Sequence, residues 1–212
     1  MKLQFYNSVT SEKEEFHPIS NKEVLVYGCG PTVYHSPHIG NFRTFIFYDL
    51  LNRVLVQNGY TVKNVINITD IDDKIIDRVN NEDIGFNDLT QKYERIFLEQ
   101  SDFLSILPST VNPRASEYVS EMIHFIKSLM DKGVAYNING NIFFDTKEYS
   151  KYGKFVNIDD DSLSREDNEL GKKHSNDFAL WKAWKESDGE ITWTSDWGNG
   201  RPAWHTECAV LG

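Results

Sequence analysis

The residues on which chemistry could rest lie in one short string near the start and one cysteine near the end. Tyr27-Gly28-Cys29-Gly30-Pro31-Thr32-Val33-Tyr34 is followed by Pro37-His38-Ile39-Gly40-Asn41, and Cys208 is the second cysteine of the chain. His38 can donate a hydrogen bond to phosphate oxygens, with Asn41 beside it as a neutral donor. Gly40, lacking Cβ, would let a flat ring or a phosphate approach the backbone closely. A second reading has equal weight on spacing alone: His38 caps a helix and Gly40 only makes a turn. The string is neither GxGxxG nor GxxxxGKS, so the common dinucleotide and P-loop readings fail. On count alone, Cys29 and Cys208 read as two unrelated thiols in a reducing compartment, since isolated cysteines commonly serve as small apolar residues.

The elements around this string give it a place. Val24 to Tyr27 is an apolar run that reads as a buried strand ending in a tight turn. From Asn41 to Asn58, Phe42, Phe45, Ile46, Leu50, Val54 and Leu55 recur at three and four, which predicts a helix stopped by Asn58-Gly59. Val62 to Ile68 is a second strand rich in β-branched residues, so the spacing predicts a βαβ unit with parallel strands. In open α/β sheets ligands bind at the strand-to-helix turn, where unpaired N–H groups and the helix dipole favour phosphate.

Two further helices are patterned, one from Phe86 to Leu104 and one from Val119 to Met130 with a stop at Gly133. Beyond Gly133 the α/β rhythm breaks. Val134 to Tyr136 and Ile142 to Phe144 flank Asn139-Gly140, a hairpin signal, and Asp159 to Glu169 reads as an acidic solvated loop. Asp70, Asp72 and Asp73 do not make a calcium loop, because Lys74 and Ile75 stand where one needs an oxygen ligand and a glycine. They read instead as caps for a helix beginning near Asp72. The five tryptophans, Trp181, Trp184, Trp193, Trp197 and Trp204, read as packing rather than a platform for bases, since no basic groove accompanies them.

Composition sets limits. The chain has 212 residues, 40% hydrophobic and 25% charged, an ordinary globular balance. Its net charge of -10 gives neither half the basic face of a typical nucleic-acid-binding domain. Met1 to Thr10 lacks the apolar run of a secretory signal, and no stretch approaches the ~20 apolar residues of a membrane helix. A cytoplasmic protein without membrane contact is expected.

CGPTVYHSPHIGN resembles the first signature of class I aminoacyl-tRNA synthetases in its cysteinyl form. Asn67 to Ile75, Pro113-Arg114-Ala115, Asp177 to Lys182 and Gly200 to Cys208 resemble further blocks of that family, in the same order. The resemblance implies an α/β, Rossmann-like parallel-sheet nucleotide-binding fold interrupted by a connective insertion. The implied boundaries are 1–112 for the first half of the catalytic domain, 113–199 for the insertion with its helix and hairpin, and 200–212 for the return segment.

The resemblance also implies roles. Cys29 and Cys208 match zinc ligands, and a soft Zn–S bond would distinguish cysteine from serine, alanine or valine more sharply than pocket size can. His38, Gly40 and Asn41 match the ATP-binding signature, His38 and Asn41 as its catalytic members, Asn41 standing where a second histidine usually stands. Gly30, Thr32, Thr69 and Trp204 match the amino-acid pocket, and His205 would orient substrate or support the metal. The implied activity is ATP-dependent formation of cysteinyl adenylate, with Mg2+ accompanying ATP, and transfer to tRNA(Cys). The family continues past the position of Gly212 with a histidine and a glutamate of the zinc site, a KMSKS lysine and a tRNA-reading region. On that ground the 212 residues alone are expected to be inactive, with an incomplete zinc site and tRNA held mainly by the part that is not here. Two rivals stand beside this reading: a ligase joining cysteine to an amino-sugar in thiol biosynthesis, and a non-catalytic domain that binds a nucleotide or zinc.

Overall fold

The computed structural model describes residues 2–155 and 170–212. The acidic stretch Asp159 to Glu169 lies outside the described residues. A hairpin that the sequence pattern does not announce comes first, with β1 (Gln4–Asn7) antiparallel to β2 (Glu12–Glu15). β3 (Glu23–Gly28), α1 (Ile39–Gln57) and β4 (Thr61–Ile66) then form the expected βαβ unit. The strands run parallel, in register from Glu23↔Thr61 to Gly28↔Ile66. Gly59, at φ +85°, takes the left-handed conformation that ends α1.

Parallel pairing continues past the named strands. Val33 N–H donates to Thr69 O and Thr69 N–H to Pro31 O, so the turn after β3 stays laced to the end of β4. On the other side of β4, Ile66 N–H donates to Val111 O, Ile68 N–H to Pro113 O, and Ala115 N–H to Ile68 O. Residues 111–114 thus act as a ragged third strand, interrupted because Pro113 has no N–H to give.

α1 buries Phe42, Phe45 and Leu55, whereas Ile46 and Leu50, in the same periodic stripe, are exposed. α2 (Asp73–Glu82) and α3 (Phe86–Phe103) complete this layer. Its core joins Phe42 and Phe45 to Ile66, Ile68, Leu89 and Phe97. α2 starts where the sequence places it: Asp72 is its N-cap and accepts from Lys74 N–H at 2.9 Å.

A 3-10 turn (Ala115–Tyr118) leads into α4 (Val119–Asp131), which stops at Gly133 with φ +72°. The second sheet is antiparallel and larger than the hairpin expected from Asn139-Gly140. β5 (Ala135–Ile138), β6 (Asn141–Phe144), β7 (Phe178–Ala183), β8 (Trp193–Ser195) and β9 (Gly198–Pro202) lie in the order β5-β6-β7-β9-β8. Met122 and Ile126 of α4 pack on Ile142, Leu180 and Trp181 of this sheet. Trp181 is fully buried with Trp197 edge-on to it, but Trp184 and Trp204 are about half exposed. The packing role of the tryptophans therefore holds for part of the set. α5 (Trp204–Leu211) follows β9 at once; its Val210 and Leu211 pack on the cluster of α4 and the second sheet, while Glu207 and Cys208 reach Thr69 and Cys29 of the first layer. Among the described residues, no helix is long and apolar enough to cross a membrane.

Candidate active site

The turn after β3 is fixed from below by one asparagine. Asn67 Oδ1 accepts from Gly30 N–H and from the Tyr27 hydroxyl, both at 2.9 Å. A Cβ on Gly30 would stand 1.5 Å from the Asn67 carbonyl oxygen, so only glycine fits this approach of two backbones. Asn67 Nδ2 donates to Thr69 Oγ1 at 3.1 Å, and Thr69 Oγ1 donates to Glu207 Oε2 at 2.9 Å. All three side chains are buried. This chain of hydrogen bonds ties β3, β4 and α5 together beneath the turn.

Glu207 has no solvent contact, and burial pushes its carboxyl up to about 8, against the Thr69 bond that favours the charged form. It is largely protonated at neutral pH, which removes the cost of a buried charge. The next residue, Cys208, is brought to Cys29 with the two Sγ atoms 3.2 Å apart. This is well beyond the ~2.05 Å of a disulfide, and both thiols are free. Burial pushes the Cys208 thiol up to about 11, with the Tyr27 hydroxyl opposing the shift. Two soft donors at one point are half of a tetrahedral zinc set, and thiolates are the form a metal would take.

At the start of α1 the two readings of His38 turn out to be compatible. Its Nδ1 accepts from Gly40 N–H at 3.0 Å, while Asn41 Oδ1 accepts from His38 N–H at 3.0 Å, a reciprocal capping box. With Nδ1 occupied as an acceptor, the neutral ring carries its proton on Nε2, which stays available to donate. Asn41 likewise spends its oxygen on the cap and keeps its amide N–H groups. Gly40 does not line the cavity; a Cβ there would come within 2.8 Å of the His38 ring, so glycine makes room for the cap.

Two adjoining cavities open above these groups. The first, about 320 Å³, is lined by Cys29, Gly30, Thr32, His38 and Asn41, and no described carboxylate lines it. The second, about 430 Å³, is lined by Thr32, Asp73, Lys182, Arg201 and Trp204. Thr32 and Lys74 line both. Thr69 is buried under the turn and reaches the cavities only through its neighbours. His205 lines neither of these two cavities: its ring packs 4.7 Å from Phe178 and 5.6 Å from Trp204 and lines a separate apolar groove with Leu180 and Ala209.

Sequence reasoning did not single out Glu207 or Asn67 as parts of this site, nor the ionic set on the second cavity. Asp73 bonds both Lys182, at 3.0 Å, and the buried Arg201. A polar asparagine closing an apolar strand and a glutamate as the one acidic residue of the last helix were the available signals. The three aspartates divide: Asp72 caps α2, Asp73 takes the cations, and Asp70 accepts from the Ser116 N–H and hydroxyl. Elsewhere, Asp145, His174 and Asp177 bring ligand atoms within 4.8 Å of one another. The Asp177 oxygens already accept from Tyr136, Thr146 and His174, and Lys173 stands 3.8 Å from Asp145, so that cluster is a structural latch.

Comparison with known proteins agrees with this arrangement. Residues 15–212 match the model of the tRNA synthetases class I (C) catalytic domain. The chain is 45% identical over 215 residues to a cysteine–tRNA ligase of Brachyspira hyodysenteriae, covering 99% of this chain and 45% of the relative. It is 47% identical over 213 residues to one of Finegoldia magna, covering 99% of this chain and 46% of that protein. For one of Thermococcus gammatolerans the identity is 44% over 214 residues, with 100% and 44% covered. The chain spans about half the length of these curated relatives. A histidine-capped helix at the mouth of a cavity, paired thiols and a match across nearly the whole chain converge on one conclusion: the chain belongs to the class I (C) tRNA synthetase catalytic-domain family, with an α/β fold.

Proposed function

We propose that this chain carries the cysteine-activating site of a cysteine–tRNA ligase. The observation that carries the reading is the 3.2 Å approach of Cys29 Sγ to Cys208 Sγ at the wall of the cavity that holds His38. A carboxylate oxygen of L-cysteine attacks the α-phosphorus of ATP. The bond to the bridging oxygen breaks, and pyrophosphate leaves with the electron pair, giving cysteinyl adenylate. A terminal ribose hydroxyl of tRNA(Cys) then attacks the carbonyl carbon, and AMP departs. The first nucleophile is already an anion, so no general base is required.

His38 Nε2–H, the Asn41 amide and the N-terminus of α1, with Gly40 making room, would hold the phosphates of Mg2+-bound ATP. Their contribution is electrostatic, by fixed donors aimed at developing charge. Gly30 and Thr32 line the amino-acid side, Thr69 supports it from beneath, and Trp204 supplies an apolar wall. His205, three residues before Cys208 on α5, would orient substrate or support the metal. Cys29 and Cys208 would hold a zinc ion, whose soft Lewis acidity offers a position to a thiolate that serine, alanine and valine cannot occupy.

In this reading 1–112 are the first half of the catalytic domain, 113–199 the connective insertion and 200–212 the return segment. The body of tRNA is held mainly outside these residues, in keeping with the net charge of -10, and the enzyme works in the cytoplasm. Cysteine-dependent exchange of pyrophosphate into ATP by the full natural chain is the test. Exchange with cysteine should exceed that with serine by more than the ~10 to 200-fold a pocket alone provides. Equal exchange with serine would overturn the reading.

A further inference from the structure

We propose that Lys74 is a phosphate-binding residue of this site, reaching the phosphoryl group held in the first cavity. The inference rests on the reading above that the first cavity takes the nucleotide. Lys74 occupies the first turn of α2, two residues after the Asp72 cap, and its side chain lines both cavities. Only Thr32 shares that position. The amino-acid side (Cys29, Gly30, Thr32) and the phosphate side (His38, Asn41) of the reading above both lie on the wall of the first cavity with Lys74, and in an aminoacyl adenylate the group that joins the two sides is a phosphoryl anion.

Charge separates Lys74 from the other cations nearby. Lys182 is held by Asp73 at 3.0 Å, and Arg201, 3% exposed, is held by Asp73 with Asp188 at 3.8 Å. Those cations are answered by carboxylates of the protein. Among the described residues no carboxylate makes an ion pair with Lys74; its ammonium stands over the Tyr34 ring, 5.4 Å from the centroid. Such a contact orients the side chain without neutralising it. Lys74 is also the one formally charged side chain on the described wall of the first cavity. The carboxylates on the second cavity are Asp72, which caps α2, and Asp73, which is bonded to Lys182 and Arg201; an ammonium with three donors at the rim of the first cavity suits a phosphate oxygen.

The test is calorimetric binding of AMP and of adenosine to the protein and to Lys74→Met and Lys74→Arg. The ratio of the two affinities isolates the phosphate contact from stacking and sugar contacts. Lys74→Met should lower the AMP-over-adenosine preference by roughly tenfold with adenosine affinity unchanged, the size expected for one charge-assisted hydrogen bond. Lys74→Arg, which keeps the charge, should retain most of the preference. An unchanged ratio in Lys74→Met overturns the proposal while leaving the nucleotide site intact. Loss of both affinities in Lys74→Met together with a full preference in Lys74→Arg supports it; loss in both variants marks Lys74 as structural and overturns it. Failure of the unsubstituted protein to bind either ligand would remove the nucleotide reading itself and this proposal with it.

Discussion

Thr69 Oγ1 donates to Glu207 Oε2 at 2.9 Å, a bond between residues 138 positions apart that is sealed from solvent. It holds α5 against the end of β4, and so it sets where the neighbouring Cys208 meets Cys29.

Removing that carboxyl should therefore loosen the thiol pair. Glu207→Ala leaves a buried void and an orphaned Thr69 hydroxyl and should cost about 2–4 kcal/mol in urea unfolding. Glu207→Gln keeps the acceptor and the shape and should cost about 1 kcal/mol or less, as expected for a carboxyl that is largely protonated at neutral pH. A larger loss in Glu207→Gln than in Glu207→Ala would contradict this account.

Gly28 and Gly30 look alike in the sequence but should respond differently to alanine. At Gly30 the new Cβ meets backbone, the Asn67 carbonyl oxygen, at 1.5 Å; at Gly28 it meets the Tyr48 ring, at 2.5 Å. A strand cannot move aside as a ring can. Gly30→Ala should cost more than about 3 kcal/mol or prevent folding, and Gly28→Ala roughly 1–3 kcal/mol, both read from thermal or denaturant melts.

Either Cys29→Ser or Cys208→Ser should weaken zinc binding, measured by competition with a chromogenic chelator. The loss should exceed the roughly 10 to 100-fold typical when only an outer partner of a ligand is removed. The circular dichroism spectrum should stay unchanged. Equal zinc affinity in the single variants and the parent would show that the thiol pair does not bind the ion.

Asp73 should matter most in acid. Burial alone would raise its carboxyl, but Arg201 and Lys182 outweigh it and hold the group below the usual carboxylate range. A depressed folded-state value means the stabilisation is present above the ordinary range near pH 4 and disappears as pH falls through the lowered value. Asp73→Asn should cost about 1–3 kcal/mol at pH 7, reduced from the buried-pair figure because the side chain is half exposed. The variant should also lose part of the acid limb of the stability profile; identical limbs would refute the assignment.

Asn41→Ala removes the acceptor for His38 N–H and should cost about 1 kcal/mol through the lost cap. Asn41→Asp keeps that acceptor and should melt close to the parent, yet it places a negative charge beside the cavity. Its AMP affinity should therefore fall while its stability does not.

Much of the first layer was legible because it is local. Periodicity in Phe42, Phe45 and Leu55, the Asn58-Gly59 stop and the β-branched run before Ile68 each report on a few neighbouring residues, and they settle strand, helix and parallel return. The Asp72 cap and the Asn139-Gly140 turn are local in the same sense. The second sheet was less legible. β7 and β9 pair Trp181 with Pro202 and Lys182 with Arg201, and glycine-rich β9 carries little strand signal by itself.

What the sequence determined by itself is the strand-helix junction with its glycine-rich turn, and, through resemblance, which residues to watch there. The tertiary structure alone decided that His38 caps α1 through Nδ1 and leaves Nε2 over, that the His205 ring packs on Phe178, and that Lys74 lines two cavities. The reason is physical: capping and periodicity arise within one or two turns of chain, whereas the meeting of Cys29 with Cys208 depends on α5 folding back onto β4, and a buried hydrogen bond from Thr69 to Glu207 carries no local pattern that spacing could reveal.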